Sequence, residues 1–473
     1  MVPLASTTVD LARIQFATTS IYHFLFVPLT LGLAPLVATM QTLWRRTGDD
    51  AWLRLTHFFG VLLLINFAIG VATGLVQEFQ FGMSWSVYSN FVGGVFGAPL
   101  AIEGLAAFML EATFLGLWIF GWEQLPRGLH LATIWIVALA TWLSAYLILV
   151  ANSWMQHPVG YKIVSGKAQL TSVSALLSNS FAIIAWIHVI LAGLIFGAMV
   201  MFGISCWHML RGRNLELFGR AAKLALIVAV PATLIQLSVG NRFGEAVTTA
   251  QGMKIAASEA QWNTCDPCGF SLFQIGGFSQ QDETPSFSIT IPDVLSWMAT
   301  GSFSGQVDGL NELQQQEQRS YGPGNYMPNV RLMYWSMRVM AMLGVAMFVI
   351  AAVGAWLYRK RKLQTTRWFL WTAVVAMSFP YIAATAGWIL TEMGRQPWIV
   401  QNLLKTSAAV STGLGTPTIA ASLVVFVLLY TVLGVVDFML MRHYARLDPP
   451  PAGRPGTGAA IAGAAPPLSF GGE

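Results

Sequence analysis

Two histidines lie well inside long apolar runs, His23 and His188, each about eight residues, or about 12 Å of helix, from the start of its run. An imidazole at such depth either hydrogen-bonds to a neighbouring helix or ligates a metal. Met340 sits at similar depth in Met337–Arg338–Val339–Met340. Alone it reads as packing, but a His/Met pair is one of the axial sets that hold low-spin haem iron. Arg338 beside it is a cation in an apolar run and needs an anion, for which a haem propionate or a lipid phosphate would serve. Glu392 closes another run, and a further run carries Glu103 and Glu111. Those two acids are eight residues apart, about 12 Å along a helix and about 80° apart around it. Carboxyls stacked in this way are either a proton relay or a pair of structural, neutral acids. His57, His130, His157, His208 and His443 fall at run ends and read as interfacial polar residues.

The elements that must position these groups are membrane helices. Of 473 residues 55% are hydrophobic and only 10% charged, with 18 Trp and 29 Phe, whereas soluble domains carry about a quarter charged residues. The formal charge is only +5 and the basic residues come in short clusters between apolar spans, which excludes a nucleic-acid-binding face. Nine stretches are long enough to cross a bilayer of about 30 Å, near 15–43, 52–78, 94–122, 128–155, 180–210, 220–240, 331–358, 367–392 and 416–443. They lack the short alternating segments of a barrel, so the fold class expected is an all-α bundle. The first stretch has no basic leader and is too long for a signal peptide, so it reads as a retained helix. Arg45, Arg46, Arg54, Arg127, Arg211, Arg213, Arg220, Lys223, Arg359–Lys362, Arg367, Arg442 and Arg446 all fall on alternate connections. The positive-inside rule makes that side cytoplasmic, with the N-terminus outside and the C-terminus inside.

The expected organisation is helices 1–6 over 1–240, an extracytoplasmic segment over 241–330, helices 7–9 over 331–447 and a disordered Pro/Gly/Ala tail over 448–473. The extracytoplasmic segment should hold a helix near Gly252–Trp262 and turn-rich pieces after it. Its Cys265-Asp-Pro-Cys268 lacks the histidine of c-type haem attachment and the further ligands of a zinc site, which leaves a disulfide as the expectation. Cys206 reads as a small buried hydrophobe.

Several strings resemble the large subunit of cytochrome bd quinol oxidases. They are Ile21–Thr30 (IYHFLFVPLT), Phe67–Gln80 (FAIGVATGLVQEFQ), Phe96–Gly104 (FGAPLAIEG), Leu149–Gln156 (LVANSWMQ) and, the most specific, Gly387–Trp398 (GWILTEMGRQPW). The resemblance extends to about Leu447 and includes the nine-helix layout. It implies that His188 and Met340 bind a low-spin haem b, with Arg338 nearby. It also implies that His23 and Glu392 serve a high-spin haem b and haem d; which takes which is left open. Trp388 and Arg395 would pack against or neutralise that haem pair. The extracytoplasmic segment resembles the family's quinol-binding loop in its shorter form, with Lys254 and Glu259 matching its lysine and glutamate. Glu103 and Glu111 match its proton-path acids. Cys-Asp-Pro-Cys is a departure from the family pattern.

The implied partners are quinol, oxygen, the lipid bilayer, a smaller membrane subunit II and small single-helix accessory subunits, in a bacterial plasma membrane. The implied reaction is oxidation of quinol at the outer face and reduction of oxygen to water, with protons drawn from the cytoplasm and no pump. A family member with haem b in place of haem d is an alternative. A secondary transporter is another, though the paired helix breaks usual there are not evident.

Overall fold

In the computed structural model residues 4–450 are described; the expected tail from 451 onward lies outside them. Nine helices among the described residues are long and apolar enough to cross a membrane. They are α1 (Leu4–Thr47), α2 (Asp50–Met83), α3 (Ser86–Phe120), α4 (Arg127–Gln156), α5 (Ser180–Leu210), α6 (Leu215–Ala250), α9 (Val330–Arg359), α10 (Arg367–Met393) and α11 (Thr416–Arg446). Short helices between α6 and α9 include α7 (Gly252–Glu259) and α8 (Leu310–Tyr321). The spans agree with the apolar stretches and run longer at their ends. The difference that shifts a boundary is at α6, which continues to Ala250, so residues 241–250 belong to a helix and the connection begins at Gln251. Asn241, Arg242 and Glu245 support that extension: Glu245 accepts from Asn241 and Arg242 across one turn.

Two of the spans depart from a regular helix for identifiable reasons. In α10 the ladder breaks at Met377–Ser378, between helical pieces Arg367–Ala376 and Phe379–Met393. Pro380 offers no N–H to the preceding turn, which accounts for the break. In α3 residues Glu103–Phe108 form a π-helical segment. A π turn takes in an extra residue, so the two acids of this helix are wound closer to one azimuth than a regular α-helix would leave them.

Small residues set the closest helix crossing. Gly193 and Gly197, four apart on α5, face α1 at Gly32; a Cβ on Gly197 would lie 2.6 Å from the Gly32 carbonyl carbon, and one on Gly193 2.7 Å from Leu31 Cβ. Two backbones can meet this closely only where side chains are absent, and the crossing fixes α1, with His23, against α5, with His188. A core of Leu29, Leu33, Phe59, Leu62, Trp118, Phe196, Phe202, Phe218 and Phe369 fills the arginine-rich end of the bundle. At the other end sits the connection between α6 and α9, which also carries the antiparallel hairpin β3 (Phe270–Gly276) and β4 (Pro285–Ile291). The short hairpin β1 (Tyr161–Val164) and β2 (Lys167–Leu170) precedes α5. Cys265 and Cys268 form a disulfide next to β3, and Cys206 is buried as a free thiol.

Candidate functional site

The loop helix α7 begins directly after α6, and both ends of it are buried. Lys254, 4% exposed, points toward the end of α4, where its Nζ donates to Gln156 Oε1 at 2.7 Å. Glu259, on the other side of α7, turns to Arg338 of α9. Five residues of helix carry the two side chains apart, and they reach different walls. Burial drives the Lys254 ammonium down to about 7, with Arg395 adding to the shift and Glu392 opposing it. Burial likewise pushes the Glu259 carboxyl up, while Arg338 holds it back.

Arg338 does not keep a hand free. Its Nη1 donates to Glu259 Oε1 and to the Ser258 carbonyl, its Nη2 to Glu259 Oε2 and the Ser271 carbonyl, and its Nε to Ser271. A guanidinium has five N–H groups, and these contacts use them all. An anion for Arg338 is thus supplied by Glu259: the loop brings a carboxylate into the same low-dielectric space, where each charge needs the other.

His23 is held by its Nδ1, 2.9 Å from Thr73 Oγ1. The Thr73 hydroxyl also reaches the carbonyls of Ile69 and Gly70; when its proton goes there, its oxygen accepts and His23 carries its proton on Nδ1. This leaves the Nε2 lone pair for a metal, the arrangement of a ligating histidine fixed by its other nitrogen. Gly74 clears the space beside it: a Cβ there would lie 3.0 Å from His23 Cε1. His188 has Gln236 of α6 at 3.2 Å from both ring nitrogens, and Gly240 one turn on faces its Cε1. Met340 points its sulfur at Gly387 of α10, where an added Cβ would stand 3.0 Å away. Trp388, next to Gly387, meets Phe24, next to His23, in an edge contact with centroids 4.7 Å apart. An apolar groove of about 410 Å³ lies between these helices, lined by Leu25, Trp335, Val339, Tyr381, Thr385 and Ile389.

Glu392 accepts from Asn152 of α4 at 2.9 Å and from Arg395, one turn on. Arg395 is buried, and its Nε and Nη1 find no partner among the described residues. The two acids of α3 also face α4: Glu103 accepts from Ser144 at 2.7 Å and Glu111 from Thr141 at 2.8 Å. Thr141, Ser144, Asn152 and Gln156 recur at helical spacing, so one face of α4 meets Glu111, Glu103, Glu392 and Lys254 in turn. Two further buried histidines fit the polar reading: His130 bonds Gln41 and the Trp118 carbonyl, and His208 the Ala445 carbonyl.

A family model of the cytochrome bd terminal oxidase subunit I matches residues 11–449. The chain belongs to that family. It is 43% identical to cytochrome bd ubiquinol oxidase subunit 1 of Bacillus subtilis (strain 168), over 92% of this chain and 92% of that one. It is 37% identical to cytochrome bd-II ubiquinol oxidase subunit 1 of Escherichia coli (strain K12), over 93% and 97%. The solved structure of bd oxidase from Geobacillus thermodenitrificans superposes with a TM-score of 0.85 at 26% identity, covering 94% of this chain and 99% of the other.

The chain is thus a multi-pass bacterial membrane protein and a subunit of a quinol:oxygen oxidoreductase that carries haem and works with a subunit II. The residues present fit haem. His23 offers a free Nε2, Met340 faces a glycine, and buried Arg395 has N–H groups to spare for an acid side arm. Groups not singled out from the sequence also stand here. Thr73, Ser144 and Thr141 are ordinary helix residues until their partners are seen. Glu78, inside the VQEFQ string, lies within electrostatic range of Glu103, and Asp437 of α11 within that of Tyr22 and Tyr381. An acid in an apolar run was the available signal for both.

Proposed function

We propose that this subunit oxidises quinol at the extracytoplasmic face with Lys254 and Glu259, and draws the protons for water from the cytoplasm past Glu111 and Glu103. Membrane potential then arises from where protons enter and leave, with no pump. The observation that carries this reading is the ordering of polar groups along α4. Its loop end meets Lys254 and Glu392, its middle meets Glu103, and Glu111 lies toward the arginine-rich end. The arginine-rich end is assigned to the cytoplasm by the positive-inside rule. The connection between α6 and α9 is assigned as the quinol loop.

His188 and Met340 would hold a low-spin haem b, and His23 and Glu392 a pair made of a high-spin haem b and haem d. When bound, haem would supply electron transfer and oxygen reduction. The chain does the rest. Thr73 fixes the tautomer of His23, and Asn152 and Arg395 orient Glu392. Lys254, with its proton affinity lowered by burial, is the base for one quinol hydroxyl, and Glu259 for the other. Arg338 holds Glu259 in place, and Trp388 packs beside the pair. Small single-helix subunits are assigned to faces such as that of α11, whose apolar window is the least enclosed of the nine among the described residues.

The test is the visible spectrum of the reduced, purified oxidase, together with proton uptake by the enzyme in vesicles. Low-spin b bands, a chlorin band in the red and uptake from the arginine-rich side are expected. A protein without haem bands, or uptake from the loop side, would overturn the reading.

A further inference from the structure

Lys254 and Glu392 stand at opposite ends of one continuous hydrogen-bond chain. Lys254 Nζ donates to Gln156 Oε1 at 2.7 Å, Gln156 Nε2 to Asn152 Oδ1 at 2.7 Å, and Asn152 Nδ2 to Glu392 Oε1 at 2.9 Å. The sense of the chain is forced from its carboxylate end. A carboxylate only accepts, so Asn152 must present its nitrogen there. Its oxygen then faces Gln156, which must donate, and the Gln156 oxygen is left for the lysine. The two amides are one helical turn apart at the end of α4 and lie head to tail, cation side to anion side. Gln156 is 3% exposed, so little water competes for either of its bonds, and such bonds strengthen one another in a low-dielectric interior.

We propose that Gln156 and Asn152 are positioning residues that couple the quinol-side lysine to the haem-side carboxylate. Gln156 fixes where the Lys254 amine sits, and Asn152 fixes Gln156, so an alteration beside Glu392 reaches Lys254 without moving α7. A lysine stem has four rotatable carbons and a point-like head. Gln156 is its hydrogen-bond partner among the described residues, so this contact selects its rotamer. The inference rests on the assignment of Lys254 to quinol.

The experiment is a double-substitution cycle in the complete oxidase, with Gln156→Leu, Asn152→Leu and the pair, read as kcat/KM for quinol. Oxygen consumption driven by an artificial electron donor and the visible spectrum are followed in parallel. Gln156→Leu removes one bond to a charged group and should lower kcat/KM about tenfold, with the spectrum and the donor-driven rate unchanged. Asn152→Leu should lower it too, although it touches neither Lys254 nor quinol, and should also disturb the spectrum through Glu392. The double variant should lose no more kcat/KM than the larger single, because both cut the same chain. A wild-type kcat/KM in Gln156→Leu, or losses that multiply in the double, would overturn the proposal. If Gln156→Leu assembles without haem, Gln156→Asn replaces it: the amide remains but falls one methylene short, and the same selective loss is expected, wild-type kinetics being the contrary result. Lys254→Gln in the same assay separates the two readings. Unimpaired quinol oxidation there removes the quinol assignment itself, whereas a loss there with normal Gln156 variants removes only the coupling.

Discussion

Arg338 of α9 and Glu259 of α7 close on each other as a two-pronged pair, at 3.1 and 2.6 Å, with side chains 2% and 3% exposed. The pair joins a membrane helix to the connection between α6 and α9 and is sealed by the carbonyls of Ser258 and Ser271. A charge pair buried to this degree adds little net stability, but removing one partner leaves the other uncompensated, at about 3–5 kcal/mol.

Glu259→Gln should therefore act on the loop and on quinol. The amide keeps the shape of the acid and loses its charge, so Arg338 is left with carbonyls alone. Quinol oxidation should fall at least about tenfold, α7 should exchange its amide hydrogens faster, and haem spectra should stay as they are. Donor-driven oxygen consumption should be spared. Equal loss of both activities would place Glu259 with the haems instead.

The proposed role of Lys254 predicts a pH dependence of definite sign for quinol oxidation. Its ammonium loses its proton near 7 because burial disfavours the charge. Below that pH the lysine is charged and unable to take a proton from quinol; above it the neutral amine accepts one. The rate of quinol oxidation should rise with pH through about 7, and Lys254→Gln should remove that rise. A rising limb that survives the substitution would assign it to another group.

How much of this was legible beforehand differs from residue to residue. The nine spans are plain in the sequence because lipid demands long uninterrupted apolar runs, and the family followed from short strings such as GWILTEMGRQPW. Lys254 and Glu259 stand five residues apart, a spacing that on any helix turns the two side chains to different sides. The end of α6 was placed ten residues early, since Asn241, Arg242 and Glu245 read as loop residues although they pair along the helix. The pairing of Arg338 with Glu259 was not legible, because the two lie 79 residues apart in sequence. The π segment that brings Glu103 and Glu111 toward one azimuth has no composition signal in EGLAAF.

Met340→Leu should preserve the fold, since both side chains are apolar and similar in volume, while removing the thioether that faces Gly387. The low-spin spectrum should convert to a five-coordinate form or disappear, and quinol oxidation should fall. An unchanged low-spin spectrum would exclude Met340 as a ligand.

The Cys265–Cys268 disulfide closes a loop of very few residues. Its stabilisation through chain entropy should be below the roughly 3 kcal/mol of a fifteen-residue loop. Intact-mass analysis after alkylation, with and without reductant, should find both thiols protected until reduction. Thermal stability should then change little. Free thiols in the purified enzyme would contradict the first expectation, and a large shift in Tm the second.

Glu111 is the sharpest test of the proton route. It is buried on α3 and accepts from Thr141, while Glu103 accepts from Ser144 on the same face of α4. About nine residues, or about 14 Å of helix, separate it from the end of α3 at Phe120. A carboxyl there is able to hold a proton and release it to a neighbour, and the reduced winding of the π segment brings Glu103 toward the same line. Glu111→Gln keeps the size of the side chain and an acceptor for Thr141 but exchanges no proton. Glu111→Ala removes the acceptor as well. Both should slow oxygen reduction by about a hundredfold or more, the usual cost of losing a positioned proton-transfer group. The loss should fall on the proton-coupled steps that follow oxygen binding, while electron input from quinol in a single turnover stays close to normal. Time-resolved spectroscopy of the reduced enzyme after mixing with oxygen distinguishes these stages. If Glu111→Gln turns over at the wild-type rate and sustains a normal membrane potential, the acid is a structural partner of Thr141, and the protons for water reach the haems along another helix.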